Sequence, residues 1–384
     1  MKKIIYTAGF LLLLGCAAES FSQRSPISNP MSATEKPKKL SVERAWVYVP
    51  QHSWFYSHHQ SIVHYRDRFF AIWSNGIMDE DAPGQRVDIA SSRDFRHWSA
   101  PRVLAVPGHY KPDTLNVLTA AGFHVYKDTL VAYYGDYSPH RENTHLHARY
   151  TTDGEHWSPP VDLHIPVNPN HGPQPTSTGR LIISGNFVFP YTDDPSGLRG
   201  WKMTSFYEDS LYTEDNPDSF YRPAQVKGYP PLCEGAFYET DDHVLHMLLR
   251  ATDEGWKGRL WLTESHDDGA HWSAAVETGF TDNDCKFHFG RLPDGRFYYV
   301  GIPDTLHRGD RIPLVLSLSG DGKLFDRHYI IADEPYSIKK KGLWKEGDYG
   351  YPHTLLYKGY LYVIISRFKE SEEVIRFPLS RLTP

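Results

Sequence analysis

Apolar and polar residues alternate along most of the chain in short runs, and six of these runs share one form. A charged or glycine-bearing tip leads into alternating aromatic and β-branched positions: RDRFFAIW (66–73), KDTLVAYY (127–134), GRLIISG (179–185), DDHVLHMLL (241–249), DGRFYYVG (294–301) and KGYLYVII (358–365). A period of two headed by a turn is the signature of a β-hairpin. No long stretch repeats at helical spacing, so the expected class is all-β.

A second unit is interleaved with the first. Ser92-x-Asp94 leads to Trp98, Thr151-x-Asp153-Gly154 to Trp157, and Ser265-x-Asp267-x-Gly269 to Trp272; Ser319-x-Asp321-Gly322 to Phe325 and Thr213-x-Asp215 to Phe220 are degraded copies. This unit resembles the Asp box, Ser-x-Asp-x-Gly-x-x-Trp, found in sialidase-like proteins. Its chemistry is structural: the carboxylate accepts backbone N–H groups of its own turn, the glycine takes a positive φ, and the aromatic packs between sheets. The box aromatics recur 52 to 63 residues apart, about one four-stranded blade each. The two units together predict one β-propeller of four-stranded antiparallel blades over residues 43–384, with six blades by hairpin count.

Composition narrows the function. A formal charge of −6 with both signs interspersed leaves no basic stripe for a phosphate backbone, which excludes nucleic acid as a partner. The start, MKKIIYTAGFLLLLGCAAES, has a positive head, a short apolar run and a small-residue exit, and reads as a signal peptide over 1–22. Leu13-Leu14-Gly15-Cys16 resembles a bacterial lipobox, which implies lipidation of Cys16 and an exported protein held at the outer membrane or cell surface; ordinary cleavage near Ser22 would leave it periplasmic or secreted. Polar, proline-bearing residues 23–42 read as a flexible tether. The body is expected to be monomeric and has only Cys233 and Cys285, too few for a disulfide framework.

Chemistry in a ring of blades belongs on inner strands and the loops between blades. His58 and His59 enter the first inner strand, where neighbours point to opposite faces and only one can reach a shared site. His124 lies on the next inner strand, and His145 and His147 share one face of the strand leading to the Asp153 box. His124 and one of that pair are expected to meet in an interblade cleft. Tyr191 and Arg199 sit in GNFVFPYTDDPSGLRGW (185–201), and Arg250 closes HVLHMLLR, pointing either into the cavity or to an acidic neighbour. Cys233, Cys285, His288 and His353 stand at the starts of three successive inner strands and suit a structural zinc site. No cofactor is expected for catalysis.

A sialidase should show Arg-Ile-Pro near the first strand, an acidic Asp soon after, and a Tyr–Glu nucleophile pair with two further arginines. Here Arg311-Ile312-Pro313 comes late and the first blade carries Ser57-His58-His59. The runs YSHHQSI, GFHVYKDTLVAYYG, GNFVFPYTDDPSGLRGW and YGYPHTLLYKGYLYV instead resemble the propellers of ulvan lyases (polysaccharide lyase families 24 and 25) and of α-L-rhamnosidases of glycoside hydrolase family 145. That resemblance implies seven blades and an acidic polysaccharide of rhamnose and uronic acid as substrate. It implies β-elimination with His124, His145 and Tyr191 as catalytic residues and Arg199, or alternatively Arg250, as the catalytic arginine; Arg250, His58, His59 and His147 are the expected substrate contacts. An α-L-rhamnosidase using His58 or His59 is the alternative, and a glycan-binding propeller without catalysis is a third reading.

Overall fold

The computed structural model describes residues 25–31, 36–141, 143–206, 229–252 and 255–382. The signal segment with Cys16 and the Thr213 to Phe220 box lie outside the described residues. Six sheets of three to five strands follow one another along the chain, with a small two-stranded ribbon between the first and second. In the first sheet, Tyr56–Tyr65 pairs with Arg68–Gly76, then Arg86–Ser92, then Arg102–Ala105; the second runs Val117–Tyr126, Thr129–Tyr137, His145–Thr151, Val161–Asp162. The third is short, with Gln174–Pro175, Leu181–Ile182 and Tyr191–Thr192. The fourth begins at Leu232–Glu239, the fifth at His288–Arg291 and the sixth at Gly350–Tyr357. Each expected hairpin supplies one of these sheets.

Apart from the N-terminal strands added at three outer edges, the strands of each sheet follow chain order. The first strands of the first and second, fourth and fifth, fifth and sixth, and sixth and first sheets touch, as in a ring of blades around an axis. Second strands are apolar on both faces because sheets cover both sides: Arg68–Gly76 buries eight of its nine residues. The core is therefore divided into interlayers. Phe70, Leu118 and Ala132 fill the space between the first and second sheets, and Phe189, Met247 and Trp272 that between the third and fourth.

The ring is closed by the start of the chain. Glu43–Tyr48 pairs antiparallel with Ser371–Pro378 as the outer strand of the sixth sheet. Two earlier segments do not form the flexible tether expected over 23–42. Ser25–Ser28 lies parallel to Val276–Thr281 as a fifth strand of the fourth sheet, and Lys38–Lys39 does the same beside Arg327–Ala332 of the fifth. The outer edges of those sheets carry unpaired backbone groups, and the polar segment satisfies them. Ile27 is buried against Phe280 and Phe325, and the Asn29 side chain accepts the Thr281 N–H at 2.6 Å.

The Asp boxes behave as their spacing predicts. Asp94 accepts the Arg96 and His97 N–H groups at 2.9 Å each, and Asp153 those of Glu155 and His156 at 2.8 Å. Asp321 holds Lys323 and Leu324 in the same way. Gly154 takes φ +79° under the ring of Phe70, where a Cβ would lie 2.6 Å from Cζ. The third sheet has a related turn not singled out from the sequence. Thr192, Asp194, Gly197 (φ +67°) and Trp201 form it, with Asp194 accepting the Ser196 N–H and the Trp201 indole donating to the Gly197 carbonyl.

Candidate active site

Innermost strands are interrupted near their starts by bulges, between His58 and Ser61, Cys233 and Ala236, and Gly350 and His353. At each, one non-glycine residue adopts a left-handed backbone: His59 at φ +57°, Glu234 at +48° and Tyr351 at +53°. Such residues cost roughly 1–3 kcal/mol apiece and persist where the surroundings impose them. Here the bulges turn all three side chains into one cavity of about 270 Å³ on the axis. Glu80, Asp81, Arg141, Arg250 and Lys286 also line it, together with Asn168 and Asn170 from the loop that follows the second sheet. That loop comes close because Gly122 and Gly172 have no side chains; a Cβ on Gly122 would meet Gly172 N at 2.6 Å.

Tyr351 and Glu234 share Arg250 as a hydrogen-bond donor in the cavity. Arg250 donates through Nη1 to both the Tyr351 hydroxyl (3.1 Å) and Glu234, and through Nε to Asp284 (2.5 Å). Burial would raise the Glu234 carboxyl, yet Arg250 and the Tyr351 hydroxyl hold it below the ordinary carboxylate range. It is therefore ionised and able to accept a proton. Burial, reinforced by Glu234, pushes the Tyr351 phenol well above its usual value, so it keeps its proton at rest. A second arginine, Arg311, lies 5.7 Å from the Tyr351 ring centroid and donates to the Asp284 carbonyl. Lys286 donates to the Asn170 carbonyl at 2.6 Å and sits 4.9 Å from the same ring.

Of the residues expected to bind substrate, Arg250 and His59 line the cavity. Arg250 combines both placements foreseen for it, facing the cavity while paired to acids. His59 approaches Glu80 at 3.5 Å, and burial lowers its imidazole to about 4. His58 is buried instead against the sixth sheet, with Nδ1 2.7 Å from the Ser366 hydroxyl. The bulge cancels the strict alternation expected of this pair: their rings are 4.7 Å apart.

The four expected catalytic residues do not share a pocket. His124 is in register with Val131 and Tyr150, whereas His145 is in register with Asp136. Five residues of strand separate those rows, about 17 Å. Sharing a face, on which the expectation rested, does not bring residues to the same end of a sheet. His124 bonds the Pro195 carbonyl at 2.9 Å, and His145 and His147 face Asp162. Tyr191 lies under the Arg180 guanidinium, 4.0 Å from its centroid, and Arg199 is largely exposed on the Asp194 turn, bonded to that carboxylate at 2.6 Å. Both belong to the third sheet's structural turn.

The four expected zinc ligands also divide. Cys233 lines the cavity, and Cys285 is buried in apolar packing with Sγ 4.0 Å from the Tyr349 carbonyl. His288 and His353 do meet, and the residue that joins them is His171. Glu234, Tyr351 and His171 were not singled out from the sequence. The available signal was positional: Cys233-Glu234-Gly235 and Gly350-Tyr351-Pro352 occupy the same place in their hairpins as His58-His59.

The fold is similar to that of known sialidases. A sialidase superposes with a TM-score of 0.63 at 18% identity over 89% of this chain, which spans about a third (33%) of that protein. Trypanosoma rangeli sialidase in complex with sialic acid gives 0.60 at 14% identity over 91% of this chain and 60% of its own. A protein of unknown function from Dyadobacter fermentans gives 0.63 at 16% identity over 89% of this chain and 100% of its own. No curated protein matches the sequence. These likenesses establish a sialidase-like β-propeller, and the model of the BNR repeat-like domain matches residues 67–363. The chain belongs to the BNR repeat-like domain family.

Proposed function

We propose that this protein cleaves glycosidic bonds of an acidic saccharide in the axial cavity, with Tyr351 as nucleophile and Glu234 as its base. The observation that carries this reading is the single Arg250 Nη1 that donates to both Tyr351 and Glu234 on the cavity wall. A phenol is a weak nucleophile until a base takes its proton, and an ionised carboxylate held by the same guanidinium is placed to do so. A neutral tyrosine also approaches an anionic sugar without the repulsion a carboxylate would meet; sialidases use a tyrosine in this role. Asp81, which follows the first hairpin and lines the same cavity, is the group we assign to protonate the departing oxygen. Among the described residues, the Lys286 ammonium hydrogen-bonds a carbonyl and no carboxylate, which leaves its charge for a substrate acid.

That same lysine favours a second reading. Elimination across a uronate requires a cation to absorb enolate-like charge, and Lys286 beside Tyr351 offers a cation and a base in one place. Rhamnose–uronate polysaccharides and aryl glycosides of acidic sugars are the first substrates to try. Free reducing sugar without ultraviolet absorbance from an unsaturated uronate, lost in Tyr351→Phe, is the result expected. Unsaturated product would overturn hydrolysis in favour of elimination, and binding without turnover would leave a glycan-binding propeller. We further propose six blades and export with a lipid anchor at Cys16, on the six sheets and on the leader sequence.

A further inference from the structure

Beside the cavity lies a cluster the proposed reaction does not use. His288 opens the first strand of the fifth sheet, His353 lies on the first strand of the sixth, and His171 comes from the loop between the second and third. One nitrogen from each lies within 4.8 Å of the others. The ring centroids of His288 and His353 are 4.6 Å apart, and those of His171 and His288 5.0 Å. His171 and His288 are 1% and 6% exposed.

The hydrogen bonds fix which nitrogens are available. His171 Nε2 faces the Phe287 carbonyl at 3.0 Å. A carbonyl only accepts, so Nε2 carries the proton and Nδ1 of the neutral ring is a lone pair. His288 Nδ1 meets the Thr354 hydroxyl at 2.7 Å, and that hydroxyl is tied to the Tyr298 hydroxyl at 2.8 Å. His171 Nδ1 and His288 Nε2 have no hydrogen-bond partner among the described residues. His353 has only long contacts, 3.4 to 3.5 Å, to Ser61 and the Ile62 N–H. Two rings that are at least nine-tenths buried thus each keep one nitrogen open towards the cluster. Rings oriented by a carbonyl or hydroxyl on one nitrogen and open on the other are the usual second-shell arrangement of metal-binding histidines.

We propose that His171, His288 and His353 bind one divalent transition-metal ion, Zn²⁺ in the resting protein. Three imidazoles without a carboxylate suit zinc rather than calcium or magnesium. Tetrahedral coordination at the usual Zn–N length places nitrogens about 3.3 Å apart, so the cluster must contract by at most about 1.5 Å. Water or the Ser61 hydroxyl takes the fourth position. The ion ties the 163–173 loop to the fifth and sixth sheets, two residues along the chain from Lys286 and Tyr351, and so holds the cavity wall. With His171 and His288 buried, its role is structural.

The test uses the full chain, loaded with Zn²⁺ or Co²⁺, dialysed, and measured by elemental mass spectrometry, visible absorption and thermal melting. About one Zn²⁺ per chain, the d–d bands of tetrahedral Co²⁺, and a melting temperature several degrees higher than after chelation are expected. His171→Gln should lose the Co²⁺ bands and the shift, while His97→Gln, on an exposed Asp box, keeps both. Wild-type protein with less than a tenth of an ion per chain and no shift overturns the proposal, as does a His171→Gln, His288→Gln double variant that loads normally. If the variants do not fold, wild-type stoichiometry and spectrum decide. None of these readouts depends on the proposed glycosidase activity.

Discussion

Arg250 donates to the Tyr351 hydroxyl at 3.1 Å from a guanidinium that also holds Glu234 and Asp284. One buried cation thus orients the proposed nucleophile and keeps its base ionised. Removing it should strand the buried Glu234 carboxylate and leave Asp284 with Arg308 as its remaining side-chain cation. Arg250→Met is expected to destabilise the protein by about 3–5 kcal/mol in urea unfolding, and Arg250→Lys by less because the charge survives. A Met variant as stable as wild type would show that the cavity tolerates uncompensated charge.

Tyr351→Phe and Glu234→Gln should each leave the circular dichroism spectrum unchanged and lower kcat by about 10²–10⁴, the range of a positioned proton acceptor. The pair acts as a unit, so the double variant should be little slower than the worse single one. Additive losses would mean that the two residues serve separate steps.

Gly154 tests the blade architecture away from the cavity. Its φ of +79° and the 2.6 Å approach of Phe70 Cζ leave no room for a methyl group. Gly154→Ala should cost roughly 1–3 kcal/mol, read as a lower melting temperature with activity intact in the cold. At Gly179, also at positive φ but with nothing within 4 Å of a Cβ, the same change should cost less.

The Asp boxes should contribute to the acid limit of stability, beside Glu80, Glu234 and Glu334, which are also lowered. Hydrogen bonds from the His156 side chain, the His156 N–H and the Glu155 N–H lower Asp153, and the Leu324 and Lys323 N–H groups lower Asp321. A carboxylate lowered on folding adds stability that is complete above its unfolded value, near 3.9, and is lost as pH falls through the folded value. The melting temperature should hold from neutrality to about pH 5 and fall below about pH 4. Asp321→Asn should flatten that acid limb; an unchanged slope would remove the boxes from the explanation.

The blades were legible in the sequence because hairpin tips and box turns are local. RDRFFAIW and KDTLVAYY became the doubly covered strands Arg68–Gly76 and Thr129–Tyr137. The site was legible only in part because bulges and register are not local. His59 and Arg250 could be placed near the axis from their hairpins, but nothing in Cys233-Glu234-Gly235 announces that a left-handed Glu234 meets a left-handed Tyr351 more than a hundred residues later. His124 and His145 failed to meet for the complementary reason: alternation gives the face of a strand, and only register gives the distance along it. Arg199 was misassigned because the Thr192 to Trp201 turn spaces its glycine and tryptophan one residue more widely than the box motif.

The N-terminal segment that edges the fourth and fifth sheets and completes the sixth has a consequence for biosynthesis. Its partners, Val276–Thr281, Arg327–Ala332 and Ser371–Pro378, lie hundreds of residues downstream and are made well after it. A partly synthesised chain has no counterpart for its own beginning and cannot lock into a closed ring. The sixth sheet gains its outer strand only once Ser371–Pro378 has been made.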